Sequence, residues 1–483
     1  MSVSIVVLWA SLMAIHLARS YGGRAGTKRL DLSGPTSADA ELTQRGIFYR
    51  SARIGFIRER FTPLHDGFRA EQTGELTLTL LGRERQVSIR GFAETGSRGN
   101  LREFRYGLTT ASHRSLFETT VDGRIDGDEL VLTISSGGSE RSERRSLDEP
   151  IVLPLNLYYS LASRGWTAGE TYRLRLFDPM TLSEGEVVVE VKEPEIVRWG
   201  GREEEAHRLT TTFAGLETTA WVNARGEILQ EETPLGWTLI KEAPGSSLQA
   251  RETGTAPDIL IQSAVPAVGF AGDAAHAQVA ELKLVNFPKE FRAVPGGRQD
   301  KKGDVVRVTR ERAPYRGTGT LSAEERDAAL ASDAFIQADS QAIRDHASAL
   351  TEGRDEVERA RVLTQWVYDN IAKSPTLSVP SATEILEQRV GDCNEHTVLF
   401  TALARASGLP TRIATGLVYT SGQFYYHAWP EVFLGQWLAV DPTLGQFPAD
   451  PMHLRLLIGG IENQYEVLGL LGHGVTIEVV DVR

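Results

Sequence analysis

Cys393 is the only cysteine in the 483-residue chain, and His427 and Asp441 follow it in that order. A thiol, an imidazole and a carboxylate are the raw material of a nucleophilic triad. Taken singly, each has a plainer reading. A lone cysteine is usually an inert, buried small side chain, a histidine in a strand is ordinary, and Asp441-Pro442 would serve simply to end a strand. His396, one helical turn after Cys393, is a competing partner for the thiol, but it reads better as a packing or hydrogen-bonding residue.

The flanking sequence says how these groups would be positioned. Val398, Leu399, Ala402, Leu403 and Ala406 recur at helical spacing, so Cys393 opens a helix. Asp392 suits the N-cap, which puts the sulfur in the first turn, where unpaired N–H groups and the helix dipole favour a thiolate. Ser407-Gly408, with Pro410 just beyond, ends the helix. Residues 411–419, 424–434 and 437–441 then read as strands, separated by turns at 420–423 and 435–436. On the second strand Tyr425, His427, Trp429, Glu431 and Phe433 share a face. A strict two-residue turn at Gly435-Gln436 would set Asp441 opposite Pro430, on the face away from the imidazole. A three-residue loop or a bulge sets it opposite Trp429, diagonal to His427. The shifted register is the expectation, because a carboxylate orients an imidazole only from the same side.

Three ordered blocks, GDCNEHTVLFTALARASGLPTR, HAWPEVFL and WLAVDPT, resemble the core of the transglutaminase-like superfamily, which is related to papain-type cysteine proteases. The resemblance covers about the last third of the chain. It implies an α+β fold with the thiol on a helix against an antiparallel sheet. It also implies acyl transfer through a thioester, with Cys393 as nucleophile, His427 as general base and acid, and Asp441 orienting His427. Amides are the implied acyl donors; the acceptor stays open, because members include transglutaminases, proteases, amidases and inactive versions. Gln388 precedes the cysteine much as an oxyanion donor does in papain-like enzymes, although the backbone N–H of Cys393 is the stronger candidate. Trp429 and Trp437 read as core and cleft wall.

Acidic residues outnumber basic ones, 64 to 52, for a net charge of −12. With no basic cluster interleaved with aromatics, nucleic acid is not an expected partner. One cysteine excludes an intrachain disulfide and a Cys-paired zinc site. His65, His113 and His207 are scattered without ligand spacing and no EF-hand-type acidic loop occurs, so no metal or other cofactor is expected.

Residues 1–20 are read as an N-terminal membrane anchor or signal segment, because 3–18 are mainly apolar. Arg19, Arg24, Lys28 and Arg29 follow, which by the positive-inside rule favours a cytoplasmic body. The family resemblance points the other way, to an extracytoplasmic, periplasmic body, and that is the expectation adopted. Residues 21–45 read as a linker. Residues 46–245 form a β-rich domain of short alternating runs, with turns such as Asp122-Gly123, Asp126-Gly127 and Asn223 to Gly226, and one helix near 155–164. Such a series reads as one large antiparallel sheet, curved or half-closed around a core. Residues 256–320 supply a further β layer and 321–483 the transglutaminase-like domain, where Ser381 and Glu384 suggest a capping box.

The fold class expected is therefore α+β: an N-terminal antiparallel β-rich domain followed by a transglutaminase-like, papain-like α+β core. The function expected is cysteine-dependent acyl transfer on a protein, peptide or cell-wall peptide amide. The alternative is a catalytically inactive scaffold that holds a peptide or cell-wall strand in the same cleft.

Overall fold

The computed structural model describes residues 41–483 apart from 50–51, 81–82, 97–98, 112–115, 137–138, 163–164, 180–181, 214–215, 234–235, 244–263, 288–292, 375–379, 460–466 and 468–473. The apolar run at 3–18 thus lies outside the described residues. Among the described residues, no helix is long and apolar enough to cross a membrane. The described residues fold as two units, one before residue 259 and the other after it.

The first unit is a single sheet of fifteen strands. Its opening strand, Glu41–Tyr49, starts inside the stretch read as linker, because it pairs on one side with Ala52–Leu64 and on the other with Trp237–Lys241. From this central pair two meanders run outward, one to Ser139–Ser146 and one to Ile151–Val152. At the far end, Ile151–Val152 pairs with Thr171–Asp178 in parallel. The strand Ser139–Ser146 escapes an alternation test because its sequence, SERSERRS, is polar throughout.

Two details depart from sequence expectation. Asp122-Gly123 is not a turn: Gly123 sits within the strand Leu116–Asp126 opposite Phe104, and a Cβ there would lie 2.1 Å from the Phe104 ring. The glycine is a seat for an aromatic side chain. The expected helix is a short 3-10 turn, Pro154–Asn156, running into Leu157–Ala162. Leu153, Leu155, Leu157 and Leu161 are buried there, and the 3-10 turn packs on the strands Gly67–Leu80, Arg83–Gly96 and Thr171–Asp178. The core of this unit is not wholly apolar. Arg45 donates to Glu59 Oε1 at 2.7 Å, Gln72 Nε2 donates to the same oxygen at 2.9 Å, and Tyr106 donates to Gln72 at 2.7 Å, all buried.

The second unit combines helices with a nine-stranded sheet, in which the strands at 265–309 and the C-terminal strand Thr476–Val482 join those that follow the cysteine helix. The α+β description therefore fits this unit, while the chain as a whole is dominated by strands. Among the described residues of this unit, four helices precede the cysteine helix. Ala323–Leu330 starts on a Ser322–Glu325 capping box and Glu356–Asn370 on the Asp355 side chain, which accepts from Glu358 N at 3.1 Å. Ala382–Gln388 has no capping box: Ser381 makes no side-chain cap, and Gln337 Oε1 instead accepts from Thr383 N and Thr383 Oγ1. An outside residue has taken over the cap.

Candidate active site

The helix Cys393–Ala406 is the centre of the second unit. Every residue from Glu395 to Ala404 is buried, because the helix packs on all four of the helices described before it in this unit, chiefly Gln341–Thr351, Glu356–Asn370 and Ala382–Gln388, and on the sheet. Burying side chains such as Leu399, Phe400 and Leu403 stabilises the fold by about 1.5–3 kcal/mol each. Asp392 is the N-cap: its carboxylate accepts from Asn394 N at 2.9 Å, and its own N–H donates to Glu395 Oε2 at 2.6 Å. This capping box sets Cys393 at the first helical position, half-buried.

The sulfur accepts a hydrogen bond from the backbone N–H of Ala428, the neighbour of His427, and Thr397 Oγ1 donates to the carbonyl of the same residue at 3.0 Å. Helix and strand are thus latched together beside the histidine. The thiolate expected from the helix N-terminus is not favoured. Burial, then the Asp392 carboxylate, push the thiol pKa well up; Glu395 and Asp441 add to this, and the Ala428 N–H opposes it by less. Burial is the larger cause, and the capping carboxylates add to it.

His427 lies on the strand Gln423–Phe433, buried, with its ring stacked near Trp429 at 6.1 Å between centroids. Its Nε2 lies 2.8 Å from Asp441 Oδ2. An ionised carboxylate only accepts, so Nε2 carries a proton and Nδ1 is the lone-pair nitrogen of the neutral ring.

The register that makes this contact is the shifted one. Phe433 pairs with Trp437, Val432 with Leu438 and Glu431 with Ala439, so 434–436 form a three-residue loop. Gly435 supplies the left-handed residue, at φ +76°, and Val440 N donates to Pro430 O at 3.0 Å. The same count carried one step further aligns Asp441 with Trp429. There Asp441 is fully buried, and Oδ1 accepts from Thr443 N at 2.7 Å and Leu444 N at 2.9 Å.

Two further residues, neither singled out by its place in the sequence, complete the cluster. His453, at the start of the strand His453–Gly459, is fully buried with Nε2 2.9 Å from Asp441 Oδ2 and Nδ1 2.9 Å from Asp450 Oδ1. Asp450 also accepts from Met452 N at 2.9 Å and Gln446 Nε2 at 2.8 Å. Burial would push both carboxyls up, but the imidazole charges and hydrogen bonds win, holding Asp441 far below the carboxylate range and Asp450 at about 2. Burial would lower His453, yet the charge of Asp450 and the two carboxylate hydrogen bonds raise it to about 9. The one available signal was the Asp-x-x-His spacing of Asp450 and His453. His427, Asp441 and His453 offer three ligand atoms within 4.8 Å of one another, and hydrogen bonds account for the carboxylate contacts among them.

His396 is buried with Nδ1 donating to the Asp392 carbonyl at 2.6 Å, so it braces the cap. Gln388 ends its helix with Nε2 3.4 Å from Glu384 Oε1. Trp429 is fully buried, and Trp437 lies under the Arg412 guanidinium at 4.0 Å.

Residues 344–442 match a family model described as the Transglutaminase-like superfamily, a stretch that contains Cys393, His427 and Asp441. Among solved structures, a proposed cysteine protease from Cytophaga hutchinsonii is similar over 46% of this chain and 86% of its own, at 16% identity and a TM-score of 0.27. The periplasmic domain of TgpA from Pseudomonas aeruginosa, bound to ethylmercury, is similar over 26% of this chain and 51% of its own, at 21% identity and a TM-score of 0.22. No curated protein matches the chain by sequence.

Proposed function

We propose that this chain, which carries a transglutaminase-like core in its C-terminal unit, performs cysteine-dependent acyl transfer on an amide of a protein, peptide or cell-wall peptide. The observation that supports it is the hydrogen bond from His427 Nε2 to Asp441, made on the strand against which the Cys393 sulfur rests. With Nε2 committed to Asp441, His427 Nδ1 takes the thiol proton as the sulfur attacks the carbonyl carbon. The Cys393 backbone N–H stabilises the resulting oxyanion. The carbon–nitrogen bond then breaks, His427 returns the proton to the departing amine, and a thioester to Cys393 remains. Water or a second amine attacks it, with His427 again taking the proton, and the thiol is restored. Because the thiol is held up in pKa, proton transfer and attack are coupled rather than sequential.

The test is mass spectrometry of the full chain after exposure to glutamine-containing peptides with and without a primary amine. An acyl adduct on Cys393, absent in Cys393→Ala, is the expected result, and the released product separates hydrolase from transferase. The raised thiol favours one other reading, an inactive peptide-holding scaffold. That reading predicts no adduct on Cys393 with or without the amine.

A further inference from the structure

Asp441 Oδ2 is shared. Two imidazole nitrogens, His427 Nε2 at 2.8 Å and His453 Nε2 at 2.9 Å, converge on it, while backbone N–H groups occupy Oδ1. The second imidazole differs from the first in what lies behind it. His427 has one carboxylate partner; His453 has one on each ring nitrogen, Asp441 and Asp450, both at 2.9 Å. A neutral imidazole has a single N–H and cannot donate from both nitrogens, whereas ionised carboxylates only accept. Both contacts are hydrogen bonds only if His453 is an imidazolium.

We infer that His453 is a positioning residue: a buried cation, fixed between Asp441 and Asp450, that takes up part of the Asp441 charge and so weakens the pull of Asp441 on a second proton at the base, His427. The word base rests on the acyl-transfer reading; the electrostatic coupling does not. The surroundings support the fixed charge. His453 is fully buried, and the Trp429 ring meets it edge-on at 5.2 Å. Arg298 donates to the Ala449 and Asp450 carbonyls at 2.9 and 2.6 Å, which holds the segment that carries Asp450. His427 is faced by Asp441 at 2.8 Å, the Trp429 ring at 6.1 Å and the His453 ring at 5.7 Å, while Asp392 and Glu395 act on the Cys393 thiol at the helix start. Of these, His453 is the cation, and removing it leaves the full Asp441 charge to draw a proton onto His427. Asp450 and His453 also lie beyond residue 442, where the family match ends.

The test uses the full chain and no substrate. Ring signals of isotope-labelled histidine report protonation, and iodoacetamide reports the thiolate at Cys393, the chain's only thiol. In the wild type, His453 is expected to keep both ring protons at pH 7. In His453→Gln, His427 should titrate higher by about one pH unit, and alkylation at pH 7 relative to pH 10 should rise about tenfold. Asp450→Asn should move both in the same direction by less, and gives the same readout where His453→Gln does not fold. A wild-type His453 that is neutral at pH 7, or a His427 that titrates alike in the wild type and the variants, overturns the inference. A brace without electrostatic effect would give the second result. An absent acyl adduct in the wild type would instead remove the acyl-transfer reading and leave these titrations as they are.

Discussion

Asp441 and Glu231 are both carboxylates with no exposed surface, one in each unit, and their proton affinities are driven in opposite directions. Asp441 accepts four hydrogen bonds, two from backbone N–H groups and two from imidazoles, and is held far below the carboxylate range. Neither oxygen of Glu231 has a hydrogen-bond partner, and burial carries it up to about 7 despite the charge of Arg45. Burial by itself therefore does not decide the charge of a carboxyl group; the donors aimed at it do. The second unit spends its donors on the candidate site, while the first leaves a carboxyl group unserved within a large sheet.

The largest expected effect follows from removing the acceptor in the second unit. Asp441→Asn should lower the rate of acyl-enzyme formation on the order of 10³–10⁴-fold, measured by quenched-flow mass spectrometry, because an amide no longer fixes the His427 tautomer. Glu231→Gln, by contrast, should leave that rate within about twofold. A comparable loss from both substitutions would mean that the two carboxyl groups do not differ in kind.

Next in size are the buried ion pairs. Arg45→Met strips Glu59 of its 2.7 Å partner and should destabilise the first unit by about 3–5 kcal/mol in urea unfolding. Glu59→Gln at the same site should cost less, because the amide still accepts from Arg45.

The third comparison is in pH. Glu231 is raised in the folded state, so the folded chain holds more protons than the unfolded one, and stability falls as pH rises from about 4.5 to about 7. The loss is roughly 3 kcal/mol, and Glu231→Gln should abolish it. His453 is raised to about 9, so its contribution is complete below about pH 6.5 and is lost as pH rises through 9. Asp441, being depressed, contributes above about pH 4 and loses this only as acid protonates it. Hydrogen exchange in Trp237–Lys241 should accordingly slow between pH 7 and 5, after correction for intrinsic rates, while that in Gln423–Phe433 should not. The smallest effect is at the surface: Arg173→Ala, which removes an exposed pair with Glu186, should change stability by about 0.5 kcal/mol or less.

Much of the second unit was legible because its signals are local. Asp392 before a periodic apolar run gave the cap, and the alternation from Tyr425 to Phe433, with glycine in the following loop, narrowed the register to two choices. His453 and Asp450 were not legible, because their meaning lies in Val418 pairing with His453 across a neighbouring strand, a contact that no spacing along the chain encodes. The thiolate was misjudged for a similar reason. The helix dipole was visible, but the depth of the sulfur and the approach of Glu395 and Asp441 were not. In the first unit, alternation found most strands and failed where polarity is continuous, at Ser139–Ser146, or where glycine serves packing, at Gly123.

The central pairing of Glu41–Tyr49 with Trp237–Lys241 bears on how the first unit is assembled during synthesis. The sheet's middle seam joins the earliest and latest strands to leave the ribosome. Until the latter emerges, Glu41–Tyr49 keeps one flank of backbone N–H and C=O groups open to any passing strand. A nascent chain stalled before residue 237 should consequently be the species that chaperones hold or that aggregates.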